Sequence, residues 1–211
     1  MRVRRQIIGI SLFTVLSQLF FFCGSPDETY NREVPSEDTV AVVPQENHLQ
    51  HYSVDFQNLV QSEEGVFRGV RLGLSKDEVK KKERNYGNSE IQEENSQYLD
   101  YMVDYGSLEN TDLRYKLNDR GNVEVIEVNI YPNSKAGQDS LYNEFYSYFS
   151  EKYGKGMVIG AGIIKWEQKN NDLLVQMGKR DTQKIHDINI IFSYLTREAA
   201  GILYEPLPEG L

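Results

Sequence analysis

Cysteine is almost missing from this chain: Cys23 is the single one among 211 residues. One cysteine excludes an intrachain disulfide, so the folded part must be held by its core alone. No serine sits in a G-x-S-x-G elbow, and Cys23 stands at the end of a hydrophobic run rather than beside a histidine. Nucleophilic catalysis therefore lacks a recognisable nucleophile with a positioned base. Carboxylate pairs are plentiful, but among 32 acidic residues they carry little information. The expectation is a protein that is not an enzyme and needs no cofactor. Positive charge is also scarce: 23 lysines and arginines leave a net charge of −9. Such a surface repels nucleic acid and anionic headgroups, which excludes both as expected partners. Long apolar runs are missing too, except one. Ile7 to Phe22 spans sixteen uncharged residues but includes Ser11, Thr14, Ser17 and Gln18, short of the roughly 20 apolar residues of a membrane span.

What that one run does is set by its flanks. Arg2, Arg4 and Arg5 precede it, and a basic n-region before an apolar h-region makes residues 1–22 an export signal. Cys23 follows directly. A cysteine at this place resembles the bacterial lipoprotein signal, although Phe22 and Phe20 stand where a small residue and a leucine are usual, and Leu19 lies one place early. A buried free thiol is the alternative, but a signal on one side and a polar linker on the other provide no core to bury it. The resemblance implies cleavage before Cys23, acyl chains on that residue, and an exported, lipid-anchored protein of the bacterial cell envelope at the outer membrane. Each buried methylene contributes about 0.8 kcal/mol, and the several chains of a bacterial lipoprotein suffice for a stable anchor. Processing would leave 189 residues (211 less 22) and, with three arginines gone, a net charge of −12.

Residues 23–53 are expected to carry the lipidated cysteine and an acidic disordered tether. From Gly24 to Asn47 there are three prolines and six acids against Arg32 alone. Such a stretch cannot bury enough apolar surface to offset its ordering entropy. At roughly 5–6 Å times the square root of its length, it would hold a domain tens of ångströms off the membrane.

Beyond the tether the apolar pattern acquires a period. Val66 to Leu72 reads as a short strand, and Ser75 followed by Glu78 is a capping box opening a helix that stops at Gly87. Leu99, Tyr101, Val103 and Tyr105 share one face of a strand, and Leu113, Tyr115 and Leu117 share one face of the next. Their other faces set Asp100 and Asp104 against Arg114 and Lys116, which suits a solvated sheet surface. A third strand, Val123 to Tyr131, shifts phase between Val125 and Ile126, where a bulge is expected. Leu141, Phe145, Tyr148 and Phe149 then recur at helical spacing over Asp139 to Tyr153. Three more strands follow: Ile163 to Gln168, Leu173 to Lys179 and Lys184 to Leu195. "ERNYGNS" and "SEKYGKG" end the two helices at equivalent places. The expected fold is α+β, a tandem αβββ duplication over residues 54–133 and 134–211, with helices on one face of an antiparallel sheet.

The string "GVRLGLSKDEV" resembles the opening of small outer-membrane lipoproteins of the SmpA/OmlA type. Tandem helix-plus-sheet units also resemble the β-lactamase-inhibitor-protein fold, although the second helix of each unit is not evident. Both resemblances imply a protein-binding module without catalytic residues.

The remaining candidates have plain readings. His48 and His51 are spaced like two metal ligands on a helical turn, but Leu49 and Gln50 between them supply no companion glutamate, and no metal site is expected. His186 shares the face of Ile188 and Ile190 and reads as a partly buried histidine. Gly154, Gly156, Gly160 and Gly162 follow a helix and precede a strand, the reverse of a phosphate-binding loop. The fourteen tyrosines and Trp166 suit an interface by chemistry, yet most fall on expected core faces. The function that follows is a non-catalytic, lipid-anchored scaffold or binding protein with a protein partner in the envelope. The alternative is a small-ligand carrier with a cavity between sheet and helix.

Overall fold

Alternation along the strands decides the architecture, because period-two burial gives each strand one face for a core and one for solvent. The structure, a computed structural model, describes residues 48–106, 110–181 and 186–198. Eight strands form one antiparallel sheet: β1 (Ser89–Glu94), β2 (Tyr98–Asp104), β3 (Asn110–Leu117), β4 (Val123–Tyr131), β5 (Met157–Ile159), β6 (Ile163–Gln168), β7 (Leu173–Asp181) and β8 (His186–Tyr194). Their order in the sheet is β1-β2-β3-β4-β8-β7-β6-β5. The fold is thus α+β, with β4 and β8 forming a central seam in which Ile126 lies opposite Phe192, Val128 opposite Ile190 and Ile130 opposite Ile188.

The three longer helices each begin at a side-chain cap. Ser53 Oγ accepts the Phe56 N–H at the start of α1 (Val54–Val60). At α2 (Lys76–Tyr86), the Ser75 hydroxyl accepts the Glu78 N–H while Glu78 accepts the Ser75 N–H, the expected capping box, and the helix stops at Gly87 with φ +72°. Ser134 caps α3 (Lys135–Tyr153). Caps of this kind satisfy backbone donors that the helix itself cannot. A short α4 (Leu195–Glu198) follows β8.

The inward faces of the strands and the apolar stripes of the helices meet in a single hydrophobic cluster. Phe149 of α3 packs edge-on against Trp166 of β6 and Phe192 of β8, at 5.5 and 5.7 Å between ring centres. Phe56 of α1 lies 4.8 Å from Phe145 of α3.

Several expectations change. Each half contributes four strands to the sheet rather than three: β1 carries no apolar alternation and β5 is three residues long, so neither has a periodic signal. Val66 to Leu72 is not a strand but a tight turn, with Phe67 bridged to Val70. The bulge in β4 sits at Glu124, since Lys116 lies opposite Val125 and Leu117 opposite Val123. Residues 48–53, assigned to the tether, join the folded unit: Leu49 is buried and Tyr52 stacks on Phe56 at 4.5 Å. A helix not evident in the sequence, α1, precedes α2. Cys23, the signal and the tether segment 24–47 lie outside the described residues.

Candidate functional site

The side chains that alternate away from the core form the candidate surface. On it Arg114 of β3 donates Nε and Nη2 to the two oxygens of Asp100 on β2, at 2.7 and 2.6 Å. Its guanidinium also lies over the Tyr98 ring, 4.6 Å from the centre. The paired carboxylate holds the Arg114 pKa above its ordinary value. In the same row Lys116 reaches Glu127 of β4 at 2.5 Å, and Asn189 of β8 donates to Asn129 of β4. Tyr131 donates to Asp112 at 3.0 Å, and burial with that carboxylate pushes its phenol pKa up. Arg180 of β7 donates to Asp187 of β8 at 3.0 and 2.5 Å, and Lys165 meets Glu167 on β6 at 2.8 Å. Half-buried Met102, Ile163 and Ile191 stand between these pairs.

This arrangement follows from register. Asp100 and Arg114 are direct cross-strand neighbours, as are Arg114 and Glu127, and Glu127 and Ile191. Opposite charges directly across a ladder each contribute roughly 0.2–1 kcal/mol, so their larger effect is to hold long side chains in place. An array of ordered charges and aliphatic groups is chemically suited to another protein surface, where pre-ordered side chains lower the entropic cost of docking.

Beneath the opposite face lies a second polar constellation that the sequence did not reveal. Arg68 is fully buried, as is its partner Glu83 of α2. Nε donates to both Glu83 oxygens at 3.0 Å, Nη2 to Glu83 Oε2 at 2.9 Å and to Asn88 Oδ1 at 2.8 Å. Nη1 donates to the carbonyls of Asn58 and Leu59, each at 3.1 Å. Tyr115 of β3 donates to Glu83 Oε1 at 2.5 Å, and burial beside that carboxylate pushes the Tyr115 pKa far up. The turn that delivers Arg68 is constrained: its φ is +48°, and Gly69 follows at +67°. A Cβ on Gly69 would stand 2.7 Å from the Tyr86 hydroxyl, which itself donates to the Arg68 carbonyl. The constellation ties α1, α2 and the sheet together, and its groups are occupied with one another.

The sequence candidates are dispersed. His48 and His51 are exposed on a 3-10 turn, and His186 is half-buried at the start of β8. Among the described residues, no three histidine, cysteine or acidic side chains gather as metal ligands, and no helix is long and apolar enough to cross a membrane. The four glycines separate α3 from β5 and β5 from β6, at a helix stop and a hairpin turn. Most tyrosines with large burial, Tyr101, Tyr105, Tyr115 and Tyr148 among them, belong to the core. Comparison with family models, with curated proteins and with solved structures found no match.

Proposed function

We propose that this chain is a non-catalytic, lipid-anchored protein of the bacterial envelope, held at the outer membrane through Cys23, which binds another protein across the outward face of its sheet. The observation that carries the reading is the outward lattice itself. Arg114 is fixed by Asp100 and the Tyr98 ring, and Glu127 of β4 stands between it and half-buried Ile191, an arrangement ready for contact without rearrangement. The folded part is further read as a tandem duplication with helices on one face of the sheet. Its support is the mirror-like strand order about β4 and β8, with a helix ahead of each run of four antiparallel strands. This is the arrangement for which the β-lactamase-inhibitor-protein resemblance stands. The small-ligand reading has less support, because rings of Phe149, Trp166 and Phe192 already fill space between α3 and the sheet.

Two measurements test the proposal separately. Mass spectrometry of the native protein should find a mature N-terminus at Cys23 carrying acyl mass, and Cys23→Ser should lose it. A chain beginning at Ser25 or later would remove the anchor from the reading. Independently, crosslinking in intact envelopes should recover a protein adduct that Arg114→Glu with Ile191→Lys abolishes. An adduct indifferent to both changes would move the contact off the outward face.

A further inference from the structure

The two free edges of the sheet are built differently. β1 carries Glu90, Glu93 and Glu94 and a register shift between Ile91 and Glu93, the charged, kinked edge that resists pairing with other strands. β5 has neither safeguard. It reads Met157, Val158, Ile159, pairs with β6 on one side, and has no strand on the other among the described residues. Met157 is 53% and Val158 71% exposed. An uncharged, apolar strand with an open hydrogen-bonding edge is a template for strand addition.

What lies beside β5 narrows the occupant. On the helix side, exposed Tyr146 of α3 stands 6.0 Å from the Trp166 ring, and half-buried Tyr142 lies under Lys179 at 4.9 Å. Gly156, just ahead of β5, leaves room for the indole: a Cβ there would meet Trp166 Cε2 at 2.8 Å. The adjoining Trp166 Nε1 is a buried donor without a hydrogen-bond partner among the described residues. From Lys152 to Trp166 the chain has no acidic residue, and Lys155, two residues ahead of β5, is exposed, in a protein whose net charge is −9. A second copy fits poorly here. A two-fold β5–β5 pairing would set Lys155 toward its own copy, and a three-residue strand is a small contact beside the roughly 800 Å² per partner of a stable interface.

We propose that the β5 edge, with the adjoining flank of α3, is a strand-addition site for an extended segment of another protein, apolar at alternate positions and acidic between them. Backbone hydrogen bonds to β5 supply affinity. Lys155 and the Tyr142–Tyr146 flank select the sequence. The site is separate from the outward face and does not depend on it.

The test uses the folded chain and two blocked eight-residue peptides, one alternating valine or threonine with glutamate, the other with lysine in place of glutamate. Trp166 is the chain's only tryptophan, so its emission reports on this edge directly. The acidic peptide should change that emission saturably and shift backbone amides of residues 155–159. The lysine peptide should bind at least tenfold more weakly. Val158→Asp, at an exposed position, should weaken the acidic peptide at least tenfold with an unchanged urea midpoint, while Arg114→Glu leaves it unaltered. Four results would overturn the proposal: no saturation by about 1 mM, the millimolar limit of useful affinity; equal binding of both peptides; amide shifts confined to the outward face or β1; or self-association that Val158→Asp abolishes.

Discussion

Arg68 brings a positive charge to a fully buried place, where an isolated ion would cost several kcal/mol after relaxation. Two bonds to backbone carbonyls, one to Asn88 and a bidentate pairing with Glu83 satisfy every donor of the guanidinium. Removing one partner of such a pair costs about 3–5 kcal/mol, since the other charge stays buried and unmatched. Glu83→Gln should therefore lower the urea midpoint steeply. Tyr115→Phe, which removes only the 2.5 Å bond to Glu83, should cost about 1.5–3 kcal/mol, the range of hydrogen bonds to charged groups. Replacing both ions by Arg68→Met with Glu83→Leu should recover much of the loss, measured as a double-mutant cycle. Equal midpoints for Glu83→Gln and the wild type would place water in this pocket.

Helix α3 binds the halves of the core through two kinds of contact. Phe145 is fully buried between Phe56 and Phe149. Removing a buried phenylalanine side chain costs about 3–5 kcal/mol, so Phe145→Ala should move the unfolding midpoint by a large part of the total stability; an unchanged midpoint would put that side chain in solvent. At the end of the helix Lys152 donates to the carbonyls of Glu63 and Gly65, each at 2.9 Å, and clasps the loop after α1. Burial lowers its pKa to about 8. Between pH 8 and the ordinary lysine value, the unfolded chain therefore binds more protons than the folded one, so this residue makes stability rise with pH across that window. The difference in unfolding free energy between wild type and Lys152→Met should grow over it. A constant difference would show a lysine titrating normally.

The whole sheet depends on its seam. β4 and β8 come from opposite halves of the chain yet pair over six residues, Val125–Ile130 with Ile188–Ser193, above one continuous hydrophobic cluster. Separating the halves would expose Ile126, Val128, Ile130, Ile188, Ile190 and Phe192 together. One cooperative transition is expected: Trp166 emission, which reports on β6, and far-ultraviolet circular dichroism, which reports on both halves, should yield coincident urea curves. Two separated transitions would mean that each half folds alone.

Local pattern sufficed for much of this architecture. The alternation of Leu99, Tyr101 and Val103 and of Leu113, Tyr115 and Leu117 placed β2 and β3 and their inward faces, because period two leaves no other way to bury those side chains. Ser75 with Glu78 placed the start of α2, and the spacing of Leu141, Phe145 and Phe149 placed the buried stripe of α3. The outward pairing of Asp100 with Arg114 followed from the same register. Other features had no local signal. β1 has a single apolar residue, Ile91, and β5 is three residues long, so neither shows a period. Arg68 and Glu83 read as surface charges in sequence; they are buried because a left-handed turn brings the arginine to an acid fifteen residues away and a tyrosine on β3. The β4–β8 seam joins residues about sixty positions apart. Pairing at that separation is decided by which edges the two halves leave free and by the core they can close only together, and that is a property of tertiary structure.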